Sequence, residues 1–318
     1  MSASRLENFP VSFFSMIMGM AGLTIAWEKA HRTLGLAAQP AHTLILVTCG
    51  IFVLLLLIYS IKLLRYRQAV SAELHNPVKL NFFPSVSISL LLISIALLPL
   101  NASLAEVLWL TGVGLHFVIT LYVMRVWIHH EHFEIHHINP AWFIPVVGNV
   151  LVPIAGTRLG YMEISWFFFS IGMVFWIVLF TIIFYRVLFH QPMPAKLLPT
   201  LFILIAPPAV GFLSYTALTG ELDAFGRVLY FVALFLTILL LTQINYFARL
   251  KFFLSWWAYS FPLAAITIAT LRMYEITGKQ GFHYMGWGFL VLISTVVLFL
   301  VFKTIGAISR HNICVPEG

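Results

Sequence analysis

The polar side chains of this sequence lie where a soluble protein would not put them. Ser12, Ser15, Thr24, Ser85, Ser89, Asn149, Ser255, Ser260 and Thr267 fall within long apolar stretches, interspersed with Gly19, Gly22, Gly148 and Gly211. Hydroxyl and amide donors in such surroundings can replace part of an ion's hydration shell while holding the ion weakly, as conduction requires. Small and hydroxyl-bearing residues also let membrane helices approach closely, so packing draws on the same types. The sequence leaves both uses open, and Ser15, Gly19, Ser85, Asn149, Gly211 and Ser260 are the candidates for lining a passage. The interiors of these stretches contain no Asp, Glu, Lys, Arg or His; Glu28 and Arg272 stand at their ends, with Lys29 just beyond. Ionisable groups at membrane depth mark proton relays and coupled transport. Their absence predicts passive conduction.

Other reactive residues point to no enzyme. The segment HHEHFEIHHINP, from His129 to Pro140, gathers five histidines and two glutamates. Its spacing matches no standard zinc site, so residues 129–137 read as a solvated loop and no metal is expected. His116, within a proline-free stretch, reads as a hydrogen-bonded interior residue. Cys49 lies inside an apolar stretch and Cys314 near the C-terminus, which makes a disulfide between them implausible. The sequence has no Gly-rich phosphate loop, no CxxC and no GxSxG, and no cofactor is expected.

The elements that must hold these residues are membrane spans. Hydrophobic residues make up 61% of the 318 and charged ones 9%, with a mean hydropathy of +0.98; globular chains carry about 25% charged residues. Ten apolar stretches are each long enough to cross a bilayer: 10–28, 41–63, 80–99, 103–128, 140–157, 161–189, 197–217, 224–246, 253–272 and 283–306. A single transmembrane domain over 1–318 is the expectation, with the first stretch an uncleaved span. Six of the 18 basic residues (Lys29, Arg32, Arg158, Arg227, Arg272 and Lys279) fall on one side of this arrangement and the rest on the other. The positive-inside rule then puts both termini in the cytoplasm. The formal charge of +7 is dispersed over loops, with no stripe to grip nucleic acid.

Pro84, Pro145, Pro153, Pro207, Pro208 and Pro262 fall inside odd-numbered stretches, and the even-numbered ones contain none. A proline removes a backbone hydrogen bond and kinks a helix. In a bilayer such irregularity is tolerated where the segment is shielded by protein or lines a water-filled cavity. Pro84, Pro145, Pro207 and Pro262 recur at intervals of 55 to 62 residues. This predicts five hairpins, each with one bent inner and one straight outer helix. A two-span repeat returns the chain to its starting side, so the copies share one orientation about an axis along the membrane normal. Five such units predict an all-α ring of ten helices around a central pore. Lys29, Arg32, Arg158 and Lys279 at its outer mouth would concentrate anions. Phe261 precedes the Pro262 kink; a ring there reads either as packed core or as a plug that closes the passage by bulk and dewetting. Phe253, two turns earlier, is expected to lie outside such a constriction.

Four segments carry a family resemblance: FPVSFFSMIMGMAGLTIAW, HNPVKLNFFP, NPAWFIPVVGNVLVP and WWAYSFPLAAITIAT, in that order across the ten stretches. With them the chain resembles the tellurite-resistance/dicarboxylate transporter family, which joins TehA-like bacterial proteins to the plant slow-type anion channels. The resemblance implies five helical hairpins around a pore, a homotrimer in the inner (plasma) membrane with a pore in each protomer, and an occluding phenylalanine matching Phe261. The plant members add a long N-terminal tail and kinase sites, and their phosphorylation gating is not expected to carry over to this sequence. Two functions fit: a channel for small monovalent anions, or a carrier or efflux protein for C4-dicarboxylates or tellurite-type oxyanions. A third is an accessory role beside a metalloid-detoxifying methyltransferase.

Overall fold

In the computed structural model, residues 5–129 and 133–315 are described, and among them every regular element is helical. Five hairpins follow one another: α1 (Phe14–Leu34) with α2 (Gln39–Arg65); after the short α3 (Arg67–His75), α4 (Pro84–Leu97) with α5 (Ala102–His129); α6 (Phe143–Gly156) with α7 (Met162–Phe189); α8 (Ala206–Thr219) with α9 (Ala224–Leu241); and, after the short α10 (Ile244–Ala248), α11 (Ser260–Thr277) with α12 (Gln280–Ser309). The first members also pack on one another in sequence. α1 lies against α4, α4 against α6, α6 against α8, α8 against α11, and α11 back against α1. That closes a ring of five inner helices inside five outer ones.

Burial separates the two sets as the proline pattern predicts. The inner segments that qualify as spans are 67–78% buried over their apolar windows and the outer ones 28–39%. Exposed Leu46, Val118, Val174, Phe235 and Phe302 belong to outer helices, where lipid tails can cover them. Among the described residues, nine segments are long and apolar enough to cross a membrane. The remaining expected span, the fifth, over 140–157, is a shorter apolar helix, Pro140–Gly156, buried along most of its length.

The prolines act differently from the mid-helix kinks expected of them. Each inner helix begins as a 3-10 helix and then becomes α-helical: Val11–Phe13 before α1, Lys79–Phe82 before α4, Pro140–Trp142 before α6, Leu198–Ile205 before α8 and Leu254–Tyr259 before α11. Pro84 is the first residue of α4, Pro145 and Pro262 are the third residues of α6 and α11, and Pro207 and Pro208 follow the first residue of α8. In a first turn the backbone N–H has no α-helical acceptor, so a proline sacrifices little there. The irregularity is thus a change of helix type at one end of each inner helix. Pro153 is the exception, an interior proline of α6.

Close approach explains two glycines. A Cβ on Gly148 would stand 2.1 Å from Cε1 of His116, and one on Gly19 would stand 2.0 Å from Oγ of Ser260. Both distances are far inside van der Waals contact, so only glycine lets α6 meet α5, and α1 meet α11, at these separations.

Candidate functional site

The starts of the five inner helices, 3-10 ends and first α-helical turns together, surround one cavity of about 860 Å³. Its wall includes Ser12 and Ser15 from the start of the first inner helix, Phe82 from the second, Ile144 from the third, Ile203 from the fourth and Ala258 from the fifth. The lining ends early along each helix, at Met18 on α1, Val147 on α6, Ala206 on α8 and Pro262 on α11. Phe261 stands at this floor, 6% exposed. Its ring lies against α1, where a Cβ on Gly22 would come 3.5 Å from Phe261 Cδ2. Met18, Ile144 and Val147 are likewise buried, so the floor is apolar and offers water few partners.

The candidates for lining are distributed unevenly. Ser15 borders the cavity, its Oγ donating to the Ser12 carbonyl at 2.6 Å. Ser260 is fully buried, donates to the Trp257 carbonyl at 2.6 Å and faces Gly19. Ser85 donates to the Phe82 carbonyl. Asn149 Nδ2 donates to the Pro145 carbonyl at 2.8 Å, while its buried Oδ1 has no partner among the described residues. Gly211 turns outward to Met173 of α7 and Leu229 of α9. Hydroxyls that donate to their own helix's carbonyls are satisfied locally, and of this set Ser15 is the member that borders the cavity. Phe253, expected away from the constriction, borders the same cavity near its mouth.

One polar group at the mouth escaped sequence reasoning. Lys62 Nζ pairs with Glu73 Oε2 at 2.9 Å and donates to the Phe9 carbonyl at 2.8 Å; Tyr59 donates to the same Oε2 at 2.8 Å. The Val11 N–H donates to the other oxygen, Oε1, at 3.4 Å. The pair is buried, with side chains 1% and 8% exposed. Through it α3 is fastened across the end of α2 to the first turn of the inner ring. Lys62 reads as an ordinary loop cation at the end of an apolar stretch, and nothing in a linear sequence joins it to Glu73. Lys79 and Lys196 also border the mouth, as do Asn312 to Val315 of the C-terminal segment. Burial pushes the Cys314 thiol up, against the opposing pull of Arg5 and Lys62, which leaves it a poor nucleophile.

At the opposite end of the ring lies a second group of charges. Lys29 Nζ and Arg272 Nη1 both reach Glu275 Oε2 at 2.5 Å, and Arg32 pairs with Glu28 at 2.8 Å. Arg158 has no carboxylate partner among the described residues. Desolvation by the surrounding chain, then the charges of Arg32 and Arg272, hold its guanidinium below the usual value. Lys279 makes no ion pair with this group among the described residues.

His116 is the hydrogen-bonded interior residue expected. It is fully buried, with Nδ1 2.9 Å from Ser87 Oγ and Nε2 2.9 Å from the Pro145 carbonyl. It joins α5 to α4 and α6 behind the inner ring. Of the histidine-rich loop, residues 130–132 lie outside the described residues. Glu134 and His136 beyond them pair at 3.1 Å on the surface.

Five parallel inner helices, a lipid-exposed outer layer and a deep cavity closed by an apolar floor define a multi-pass membrane protein. A family model for voltage-dependent anion channels, the SLAC1 family, matches residues 8–305, and the chain belongs to that family. Its members are channels and transporters rather than enzymes. The chain is 31% identical over 306 residues to the S-type anion channel SLAH3 of Arabidopsis thaliana, covering 94% of this chain and 48% of that protein. It is 27% identical over 307 residues to the tellurite resistance protein TehA homolog of Haemophilus influenzae, covering 95% and 93%. An uncharacterized transporter of Methanocaldococcus jannaschii, MJ0762, is 25% identical over 96% of both chains. The chain spans about half the length of SLAH3 and of its Arabidopsis thaliana relatives SLAH2 and SLAC1.

Proposed function

We propose that this protein is a channel for small monovalent anions, conducting along the axis of the inner ring, and that Phe261 occludes it. The observation that carries the reading is the position of Phe261 at the apolar floor of a cavity walled by all five inner helices. Beyond that floor, two chemical features favour anions. The vestibule is ringed by helix N-terminal ends, whose partial charge is positive, and basic residues collect at the far end of the same helices. Between the two ends the route carries no acid or base to bind an ion tightly, which suits passage over storage.

In this reading the vestibule faces the cytoplasm, both termini lie on that side, and Pro140–Gly156 completes a count of ten spans in the inner membrane. The channel assembles as a homotrimer with one conduction route per protomer, using part of the exposed apolar outer face. Recording from the purified Phe261→Ala variant in planar bilayers tests the reading. Unitary current steps carried by chloride or nitrate support a channel; saturable exchange of a dicarboxylate or tellurite without unitary steps would replace it with a carrier.

A further inference from the structure

Ser15 on α1, Ile144 on α6 and Ala258 just before α11 all line the vestibule. Fourteen residues further along the same three helices stand Lys29, Arg158 and Arg272. Fourteen residues make nearly four turns, returning to within about 40° of the same face and advancing about 21 Å along the axis. The stripe that faces the vestibule at one end of the ring therefore ends in a cation at the other, on three of the five inner helices. Arg158 lies two residues past the end of α6, so its register there is that of a turn continuing the helix.

These cations converge. Lys29 and Arg272 share one oxygen of Glu275, and Arg32 is held by Glu28. Arg158 is close enough to Arg32, Arg272 and Glu275 for their charges to act on it, the two cations outweighing the carboxylate, and it makes no ion pair among the described residues. Four cations thus meet two carboxylates. Basic residues at helix C-termini can simply offset the macrodipole. That role, however, is met by any position in the last turn, and requires neither one shared helical face nor the crowding of an unpaired guanidinium among like charges.

We infer that Arg158, Arg272, Lys29 and Arg32 form an anion-binding station at the far mouth of the ring, which takes a small inorganic monovalent anion on the axis of conduction. The guanidinium of Arg158, which makes no ion pair among the described residues, sets its preference. A planar fork of N–H donors matches an oxyanion such as nitrate in two parallel hydrogen bonds, and a halide in only one direction at a time. Glu275 limits the affinity by occupying Lys29 and Arg272, which keeps the site weak enough to release its anion inward. The inference deepens the channel reading and rests on it for the direction of travel, while binding itself is measurable without conduction.

The binding arm uses chloride as the probe. The 35Cl NMR linewidth of purified protein in detergent should show excess broadening that nitrate removes at lower concentration than bromide does. The Arg158→Gln/Arg272→Gln variant, eluting as wild type on size exclusion, should lose the excess about threefold or more. Arg158→Lys should retain much of the chloride effect and lose the preference for nitrate; Arg227→Gln, on the exposed face of the outer helix α9, should leave both unchanged. Absence of excess broadening in the wild type, or equal broadening in the folded double variant, overturns the station. The conduction arm places Arg158→Gln on the Phe261→Ala background. Current should fall about threefold in dilute salt and much less in concentrated salt, where screening removes the long-range part of the attraction. Unchanged current in dilute salt overturns the placement on the axis. If the binding arm succeeds and Phe261→Ala carries no current at all, the station stands and the channel reading fails.

Discussion

Gly19 lies directly beneath Ser260: a Cβ added to the glycine would stand 2.0 Å from the serine Oγ and 2.6 Å from its Cβ. One turn on, a Cβ on Gly22 would stand 2.8 Å from that of Ala264. The α1–α11 seam is therefore closed on both sides of Phe261, the glycines of α1 against the small side chains of α11, and this fixes where its ring sits. Gly19→Val should push α11 away, lower stability by about 1–3 kcal/mol as overpacking does, and make the closed state leaky. Melting in detergent and anion efflux from liposomes measure the two effects. A leak-free variant with wild-type melting would show that the seam does not position the ring.

Glu73 and Lys62 should behave as a coupled unit. Removing one partner of a buried ion pair strands the other charge at a cost of about 3–5 kcal/mol, whereas replacing both with apolar groups is often tolerated. Glu73→Gln and Lys62→Met should each lower the melting temperature more than the Lys62→Met/Glu73→Leu double variant. Additive losses in the double-mutant cycle would argue that the two side chains act independently.

Gly148 and His116 define a third test. With both ring nitrogens engaged, His116 cannot swing aside for a Cβ 2.1 Å away, so Gly148→Ala should cost about 1–3 kcal/mol. In a His116→Ala background the same change should cost little, because the obstructing ring is gone. Equal destabilisation by Gly148→Ala in both backgrounds, measured by thermal or denaturant unfolding, would contradict the packing described.

Much of this architecture was legible in the sequence because membrane helices state their environment through composition. Prolines confined to alternate stretches separated the shielded helices from the lipid-facing ones, and burial follows that division. What proline does locally was not legible. Mid-helix kinks and junctions between 3-10 and α helix use the same residue, and only the backbone tells Pro84 at the start of α4 from Pro153 inside α6. The same limit applied to the small polar residues. Ser15 and Ser260 look alike in sequence, yet one borders the vestibule and the other is locked against Gly19. Counting turns separates Phe253 from Phe261 along the chain, but it does not tell that both border one cavity. The Lys62–Glu73 pair depends on how α3 folds across α2, a tertiary fact without a linear signal.

Proton coupling offers a fourth test. The vestibule floor is apolar, and α1, α6 and α11 carry no histidine between it and Lys29, Arg158 and Arg272; His116 lies behind the ring with both nitrogens bonded. Anion current through Phe261→Ala should therefore stay nearly flat between about pH 5 and 8, where an unperturbed histidine would change charge. Stoichiometric proton uptake with each anion, read by a pH dye inside liposomes, would indicate coupled transport.

The most direct test of the central claim compares anion current in wild type, Phe261→Ala and Phe235→Ala in the same membrane at matched amounts of folded protein. Phe235 is a lipid-exposed ring on α9 and serves as the control that Phe253 cannot provide. Phe261→Ala should raise the current strongly and lose less stability than the roughly 3–5 kcal/mol of a fully packed core Phe→Ala change, because one face of the ring borders the cavity. Phe235→Ala should leave the current unchanged. Wild-type current in Phe261→Ala together with a large loss of folded protein would contradict the account and make Phe261 a packing residue.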